Sequence, residues 1–376
     1  MAGLYIHIPF CRSRCAYCGF YSSTRHELRQ RYVDALCREM GFKEARIDTI
    51  YLGGGTPSLL TEGQLRQLFI YINKVYDLAP DAEVTIECNP DDVTDAFAAL
   101  LTTLPVNRVS MGAQTFSDER LRFLRRRHIA EQVPLAVKRL RQAGIGNISI
   151  DLMYGFPNET INDWHRDIDQ ALALKVEHIS AYALMYEEDT PLYQLLEHGT
   201  ISELDEELSL QMYNDLIDRL TAAGYEHYEI SNFAKTIPHS QLSVPPSYRS
   251  RHNSSYWNQT PYIGLGAAAH SYDGLSRSWN IDDVERYIEG IERGEPVIEH
   301  EVLSEETKYN ELILTTLRTS EGLPLYSLSP AYRAYCLEQA QPFLSDGQLR
   351  FTDDRLILTR RGLFVSNMVM SQLMKV

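Results

Sequence analysis

Through the first half of the chain, short apolar runs alternate with stretches of helical spacing. Residues 4–8, 49–52, 83–87, 108–111, 148–152 and 178–182 read as β-strands. Between them, Thr61 with Gln64 three residues on carries the signature of a helix N-terminal capping box. Leu65, Leu68, Phe69 and Ile72 continue it at helical spacing. A further helix is predicted from Asp205 through Leu208, Met212, Leu216 and Leu220, with Gly224 as its stop. Six strands alternating with helices predict a parallel α/β sheet, open or barrel-like.

The pattern then changes. Residues 236–255 (TIPHSQLSVPPSYRSRHNSS) are polar and rich in proline, which predicts a loop. Residues 262–270 (YIGLGAAAH) are small and apolar, with Gly264 and Gly266 open to tight turns or close backbone approach. Residues 282–301 read as an acidic, solvated helical region. From Ser304 a separate small domain is expected: Ser304 caps a helix whose first turn holds Glu305 and Glu306, which suits the helix dipole. A second helix at 332–339 and a hairpin-like segment at 349–359 follow. The resulting division is a core at 1–235, an extension at 236–300 and a C-terminal domain at 301–376.

Charge and composition narrow the function. Against 36 Lys and Arg stand 51 Asp and Glu, a net charge of −15, which argues against a nucleic-acid surface. No uncharged apolar run approaches the ~20 residues a membrane span needs. The opening MAGLYIHIPF lacks the cationic start and small-residue cleavage site of a secretory signal, so a cytoplasmic chain is expected. Six cysteines in 376 residues are too few for a disulfide scaffold.

Cys11, Cys15 and Cys18 lie in CRSRCAYC, just after the first strand. Three thiolates within eight residues can reach one metal centre. A zinc site completed by His7 or a distant cysteine is open on spacing alone, as is an iron–sulfur cluster with one position free of protein ligands. Cys37, Cys88 and Cys336 read as small buried hydrophobes.

HIPFCRSRCAYCGF resembles the cluster-binding segment of the radical S-adenosylmethionine (SAM) superfamily. The resemblance implies a partial (βα)6 barrel followed by an extension and a small, mostly helical, winged-helix-like C-terminal domain. It also implies that Cys11, Cys15 and Cys18 bind a [4Fe–4S] cluster. The fourth iron of that cluster would chelate the amino and carboxylate groups of SAM.

Further features fall at the C-terminal ends of the predicted strands, where such folds place their chemistry. Gly53, Gly54, Gly55 and Thr56 follow the second strand, Glu87 ends the third, Gln114 follows the fourth and Asp151 ends the fifth. Taken singly, each is equally a turn or a cap; together they form a polar rim. By resemblance to the branch that contains the oxygen-independent coproporphyrinogen III oxidases, Tyr5, Tyr17, Gly54, Gly55, Thr56, Glu87, Gln114 and Asp151 contact SAM, and Tyr5 and His7 line the site. An arginine of FLRRRH, Arg126 or its neighbour Arg127, pairs with the SAM carboxylate.

Within that branch two features separate the oxidases from the heme chaperones. The oxidase pattern has a further cysteine two residues after the third, where this chain has Phe20. Residues 252–257, HNSSYW, match the HNxxYW heme motif of the chaperone group. The resemblance implies heme binding by His252, Asn253, Tyr256 and Trp257, with the imidazole as an axial donor and the aromatic rings against the macrocycle. Without that match, a histidine in a polar loop reads as an ordinary hydrogen-bonding residue. Delivery to respiratory, membrane-associated heme proteins is implied, with location at the inner membrane surface when such partners are engaged, and so is a homodimer. Coproporphyrinogen oxidation is the alternative, and RNA modification a third reading that the negative charge weakens.

Overall fold

The computed structural model describes residues 2–41, 45–236 and 247–375. Six parallel strands run through the first half: β1 (Ala2–Ile8), β2 (Arg46–Gly54), β3 (Asp77–Cys88), β4 (Arg108–Gln114), β5 (Asn147–Tyr154) and β6 (His178–Ala183), paired in sequence order. The connections carry helices α1 (Arg29–Met40), α2 (Glu62–Val75), α3 (Asp95–Leu101), α4 (Asp118–Phe123), α5 (Gln132–Gln142) and α6 (Ile161–Ala173). The strands are longer than their apolar centres suggested. β3 starts at Asp77 because Asp77 and Leu78 already pair with Arg46 and Ile47 of β2, ahead of an irregularity that precedes Glu83.

The parallel run does not close on itself. Beyond β6 come α7 (Pro191–Glu197), α8 (Glu206–Ala222) and the antiparallel strands β7 (Tyr225–Glu229) and β8 (Asn232–Lys235), of which β8 pairs with β6. On the other edge, β9 (Tyr262–Leu265) lies parallel to β1 and is followed by β10 (His270–Tyr272), β11 (Ser276–Asn280) and β12 (Ile298–Val302). Among the described residues the sheet has twelve strands, and its two edges come from residues after the parallel core. Apolar side chains of β1–β6 and the covering helices make one continuous core, with Trp164 of α6 fully buried and its indole N–H donating to the Met212 carbonyl at 2.9 Å.

Local signals behave as their chemistry dictates. Thr61 and Gln64 cap α2 reciprocally, and Asp205 caps α8, which stops before Gly224 at φ +87°. Two segments differ from expectation. Arg251–Trp257 is helical, α9, and not loop. Its first amides donate to the Glu83 carboxylate of β3, Arg251 at 3.1 Å and His252 at 3.0 Å, a cap that no local sequence rule contains. Of the expected loop, residues 237–246 lie outside the described residues. The acidic stretch at 282–301 is not simply solvated: α10 (Val284–Arg293) buries Val284, Tyr287 and Ile288 in the main core, and only its edge strand β12 is fully exposed. The acidic count hid an apolar stripe at helical spacing.

The remaining elements are α11 (Glu305–Thr316), β13 (Leu323–Pro324), α12 (Pro330–Ser345), β14 (Leu349–Thr352), β15 (Arg355–Leu358), α13 (Arg360–Phe364) and α14 (Ser366–Leu373). They gather a second core around Tyr309, Ile313, Cys336, Leu356 and Met370. β14 and β15 form the predicted hairpin, turning through Asp353 and Asp354 at φ +49° and +60°, the left-handed pair a two-residue turn needs. Ser304 caps α11 by accepting from the Thr307 amide. Among the described residues no helix is long and apolar enough to cross a membrane.

Candidate functional site

The cysteine segment leaves the end of β1 and returns alongside it. Ser23 donates its amide to the Pro9 carbonyl at 2.6 Å, and Cys11 donates to the Ser23 carbonyl at 2.9 Å, closing the loop at its base. At its far side the Ala16 amide donates to Leu124 at 3.0 Å and the Ala16 carbonyl accepts from Leu192 at 2.9 Å. The loop is thus tied to two separate parts of the core. The end of β2 reaches it only because of glycine: a Cβ on Gly55 would sit 2.8 Å from the Phe10 carbonyl oxygen, and one on Gly54, at φ +104°, would sit 2.6 Å from the His7 ring.

Cys11, Cys15 and Cys18 line one cavity of about 150 Å³ together with Tyr17, Thr56, Asn89 and Arg126. All three are free thiols and partly buried. Arg126 Nη1 donates to Cys15 Sγ at 3.6 Å, and Thr56 Oγ1 donates to Cys11 Sγ at 3.7 Å. Asn89 joins these donors, accepting from Arg126 Nη2 at 2.6 Å and donating to Thr56 Oγ1 at 3.3 Å. A polar relay therefore links two of the sulfurs. Burial raises the Cys11 thiol, and burial with the neighbouring sulfurs pushes Cys18 up to about 11. Charge from a bound metal centre would favour the thiolates. Among the described residues no three His, Cys, Asp or Glu groups converge as a single-ion site. The thiols instead stand around the wall of a shared volume, a donor set that suits a multi-iron cluster.

Carboxylates at the strand ends face the same region. Glu87 accepts from the Tyr51 hydroxyl at 2.7 Å and from the Gly54 amide at 3.2 Å. Burial pushes its pKa up to about 7 against those bonds, and nearby Asp151 raises it further. Asp151 itself is pushed up to about 6 by burial, opposed by hydrogen bonds from Ser180 and Ser110 and by Arg108 and Arg126. Gln114 sits at φ +64° and is buried. A Cβ on Gly112 would lie 2.6 Å from Gln114 Nε2 and 3.0 Å from Arg126 Nη2, so glycine there clears room for both side chains. Burial raises the Tyr17 hydroxyl despite the opposing charge of Arg126.

The two candidate arginines are in different situations. Arg127 is spent on Asp91 and Asp92, at 3.0 and 3.1 Å. Arg126 reaches into the cysteine cavity, and its Nε is buried with no hydrogen-bond partner among the described residues. An orphaned guanidinium N–H beside free thiols suits an external carboxylate.

The HNxxYW residues do not share one volume. His252 is 1% exposed, and both ring nitrogens are engaged: Nδ1 with Thr49 Oγ1 and Nε2 with the Tyr256 hydroxyl, each at 2.8 Å. It stacks on Tyr51 at 5.1 Å, and burial pushes its pKa down to about 3. In this arrangement both ring nitrogens of His252 are engaged by protein partners. Tyr256 faces an aromatic cavity of about 390 Å³ lined also by Tyr5, His7, Phe20, Tyr262 and His270. Trp257 lines a second cavity of about 210 Å³ that Tyr256 and Tyr262 also border, with the Arg318 guanidinium 4.9 Å over its ring. The Asn253 amide is used in capping α9 at Ser250.

Sequence reasoning missed Asn89, Arg108 and His270. Arg108 is 2% exposed inside the sheet, where its charge acts on Glu87 and Asp151. At the first position of a short apolar run it looked like a strand boundary. Asn89, next to Glu87 in IECNP, carried no spacing signal. His270 ended a segment noted only for its glycines.

Comparison with known proteins accords with this geometry. The radical SAM superfamily model matches residues 5–171, and the HemN C-terminal domain model matches residues 303–365. A heme chaperone HemW from Mycobacterium tuberculosis is 35% identical over 382 aligned positions, covering 99% of this chain and 94% of the relative. A heme chaperone HemW from Bacillus subtilis is also 35% identical, covering 98% of each. The solved structure of coproporphyrinogen III oxidase (HemN) from Escherichia coli, a radical SAM enzyme, superposes with a TM-score of 0.85 at 22% identity. That match covers 100% of this chain and 90% of the oxidase. At that identity the likeness shows the fold alone, the radical SAM fold with its C-terminal domain.

Proposed function

We propose, because this chain belongs to the heme chaperone HemW family within the radical SAM superfamily, that it binds heme and passes it to heme-requiring proteins. The family implies a [4Fe–4S] cluster and SAM, and the donor set fits them. Cys11, Cys15 and Cys18 would hold the cluster. Arg126 would pair with the SAM carboxylate, Glu87, Gln114 and Asp151 would line its remaining polar groups, and Gly54, Gly55 and Thr56 would let the backbone approach. Tyr5 and Tyr17 would wall the site. When bound, a four-iron cluster with one iron free of protein ligands supplies a coordination site for SAM and one-electron reduction of its sulfonium.

The observation that carries the heme reading is the aromatic cavity beside the cysteine loop. Phe20 lines both volumes and is 76% exposed, in the place where the oxidase pattern has cysteine. Large exposed aromatic surface next to a cavity marks a binding surface. Tyr256 would contribute a wall, while Asn253 and Trp257 would hold α9 in place. Membrane-associated respiratory proteins are the proposed recipients, and a homodimer the proposed assembly.

The test is a hemin titration beside an anaerobic assay with coproporphyrinogen III, SAM and a reductant. Stoichiometric hemin binding without protoporphyrinogen turnover is expected. Cys15→Ala is expected to lose cluster absorbance and keep hemin binding. Catalytic turnover would overturn the chaperone reading in favour of the oxidase.

A further inference from the structure

Three histidines approach the aromatic cavity or its wall, and their nitrogens differ. His7 shares hydrogen bonds with the Tyr5 hydroxyl at 3.0 Å and the Tyr21 carbonyl at 3.1 Å. His252 is engaged at both nitrogens, as described above. His270 is exposed and lines the cavity, and neither of its ring nitrogens has a hydrogen-bond partner among the described residues. Its ring rests on Trp279, with centroids 6.0 Å apart and planes at 27°. Burial and the charge of Arg277 lower its pKa.

The chain takes pains to deliver this residue. From β9 to β10 it passes Gly266 at φ +97° and Ala268 at φ +61°. At Gly264 a Cβ would lie 2.0 Å from the His270 carbonyl oxygen, so only glycine lets the two strands come this close. A non-glycine residue in the left-handed region costs about 1–3 kcal/mol and is kept where the fold requires it. Phe20, Tyr5, Tyr256 and Tyr262 line the same cavity, aromatic side chains suited to a macrocycle. The cavity's volume of about 390 Å³ falls within the ~300–1,000 Å³ typical of small-molecule sites.

We propose that His270 is an axial ligand of heme iron, with the macrocycle in the aromatic cavity against Phe20, and that His252 acts as a positioning residue that fixes the Tyr256 hydroxyl. The inference rests on the heme reading above and assigns its iron ligand. An exposed ligand at the cavity mouth suits a carrier, because the recipient can reach the iron and displace the imidazole. A fully enclosed ligand would slow that exchange.

The test uses the full chain with its cluster reconstituted anaerobically, titrated with hemin and followed by absorbance, resonance Raman and electron paramagnetic resonance. Wild type is expected to show histidine-ligated iron. His270→Ala is expected to lose that signature and to bind hemin at least tenfold more weakly, with free imidazole restoring the spectrum. His270→Cys is expected to replace the histidine signature with a thiolate one. His252→Gln is expected to keep histidine ligation. If His270→Ala retains the wild-type spectrum and affinity, the assignment is overturned while the heme reading stands. If wild type binds no hemin, the heme reading itself falls, and the assignment with it.

Discussion

Glu87 offers a quantitative test of the carboxylate rim. Its pKa is pushed from 4.5 to about 7, chiefly by burial. Because the folded value is the higher one, protonation favours the folded chain. That contribution is complete below the unfolded pKa of 4.5 and is lost as pH rises through about 7. At about 1.4 kcal/mol per pKa step, the full displacement is worth about 3.4 kcal/mol. Between about pH 5 and about pH 8.5 the linkage relation leaves about 2.5 kcal/mol of it. The residue is only partly buried, so screening reduces this to about 2 kcal/mol. Glu87→Gln removes the titration. It keeps an acceptor for the Tyr51 hydroxyl and sacrifices the Gly54 amide bond, a pH-independent loss of about 1 kcal/mol. At roughly 2.1 cal/mol/K per residue, 376 residues have an unfolding entropy of about 0.8 kcal/mol/K. The wild type is therefore expected to lose about 2–3 °C more in melting temperature than Glu87→Gln across that pH range. The measurement is thermal unfolding of both proteins, prepared identically, at the two pH values. Equal pH dependence in the two would refute the buried, raised carboxylate.

Arg126→Leu is expected to weaken SAM binding to the cluster-loaded protein by about 1.5–3 kcal/mol, roughly 10–100-fold, by calorimetric titration. Arg127→Leu is expected to leave SAM affinity within about threefold and to lower the melting temperature, since it removes the ion pairs with Asp91 and Asp92. The reverse ranking would exchange their assignments. Gly264→Ala is expected to destabilise by about 2 kcal/mol or more, because its Cβ would meet backbone at 2.0 Å. Gly63→Ala in α2, with nothing within 4 Å, is expected to stabilise by up to about 1 kcal/mol. Equal melting temperatures for the two variants would contradict the close approach of β9 and β10.

Local chemistry made much of this molecule legible before folding was considered. The alternation of apolar runs and helical stripes marked all six parallel strands, and caps such as Thr61 and Ser304 marked helix starts, because these depend on neighbours within a few residues. The cysteine spacing pointed to a metal centre for the same reason: three thiols in one short loop are neighbours in sequence. Other features depended on residues far apart in sequence. Glu83 capping α9 turns a polar stretch into a helix. Asp91 and Asp92 occupy Arg127 and leave Arg126 to the cavity. His252, on α9, is sealed by Thr49 and Tyr256, while His270, at the start of β10, lines the aromatic cavity with its ring nitrogens free of partners among the described residues. Sequence alone determined which donors the chain possesses. Only the tertiary structure decided which of them are already satisfied, since hydrogen-bond saturation and burial are set by partners that sequence distance conceals.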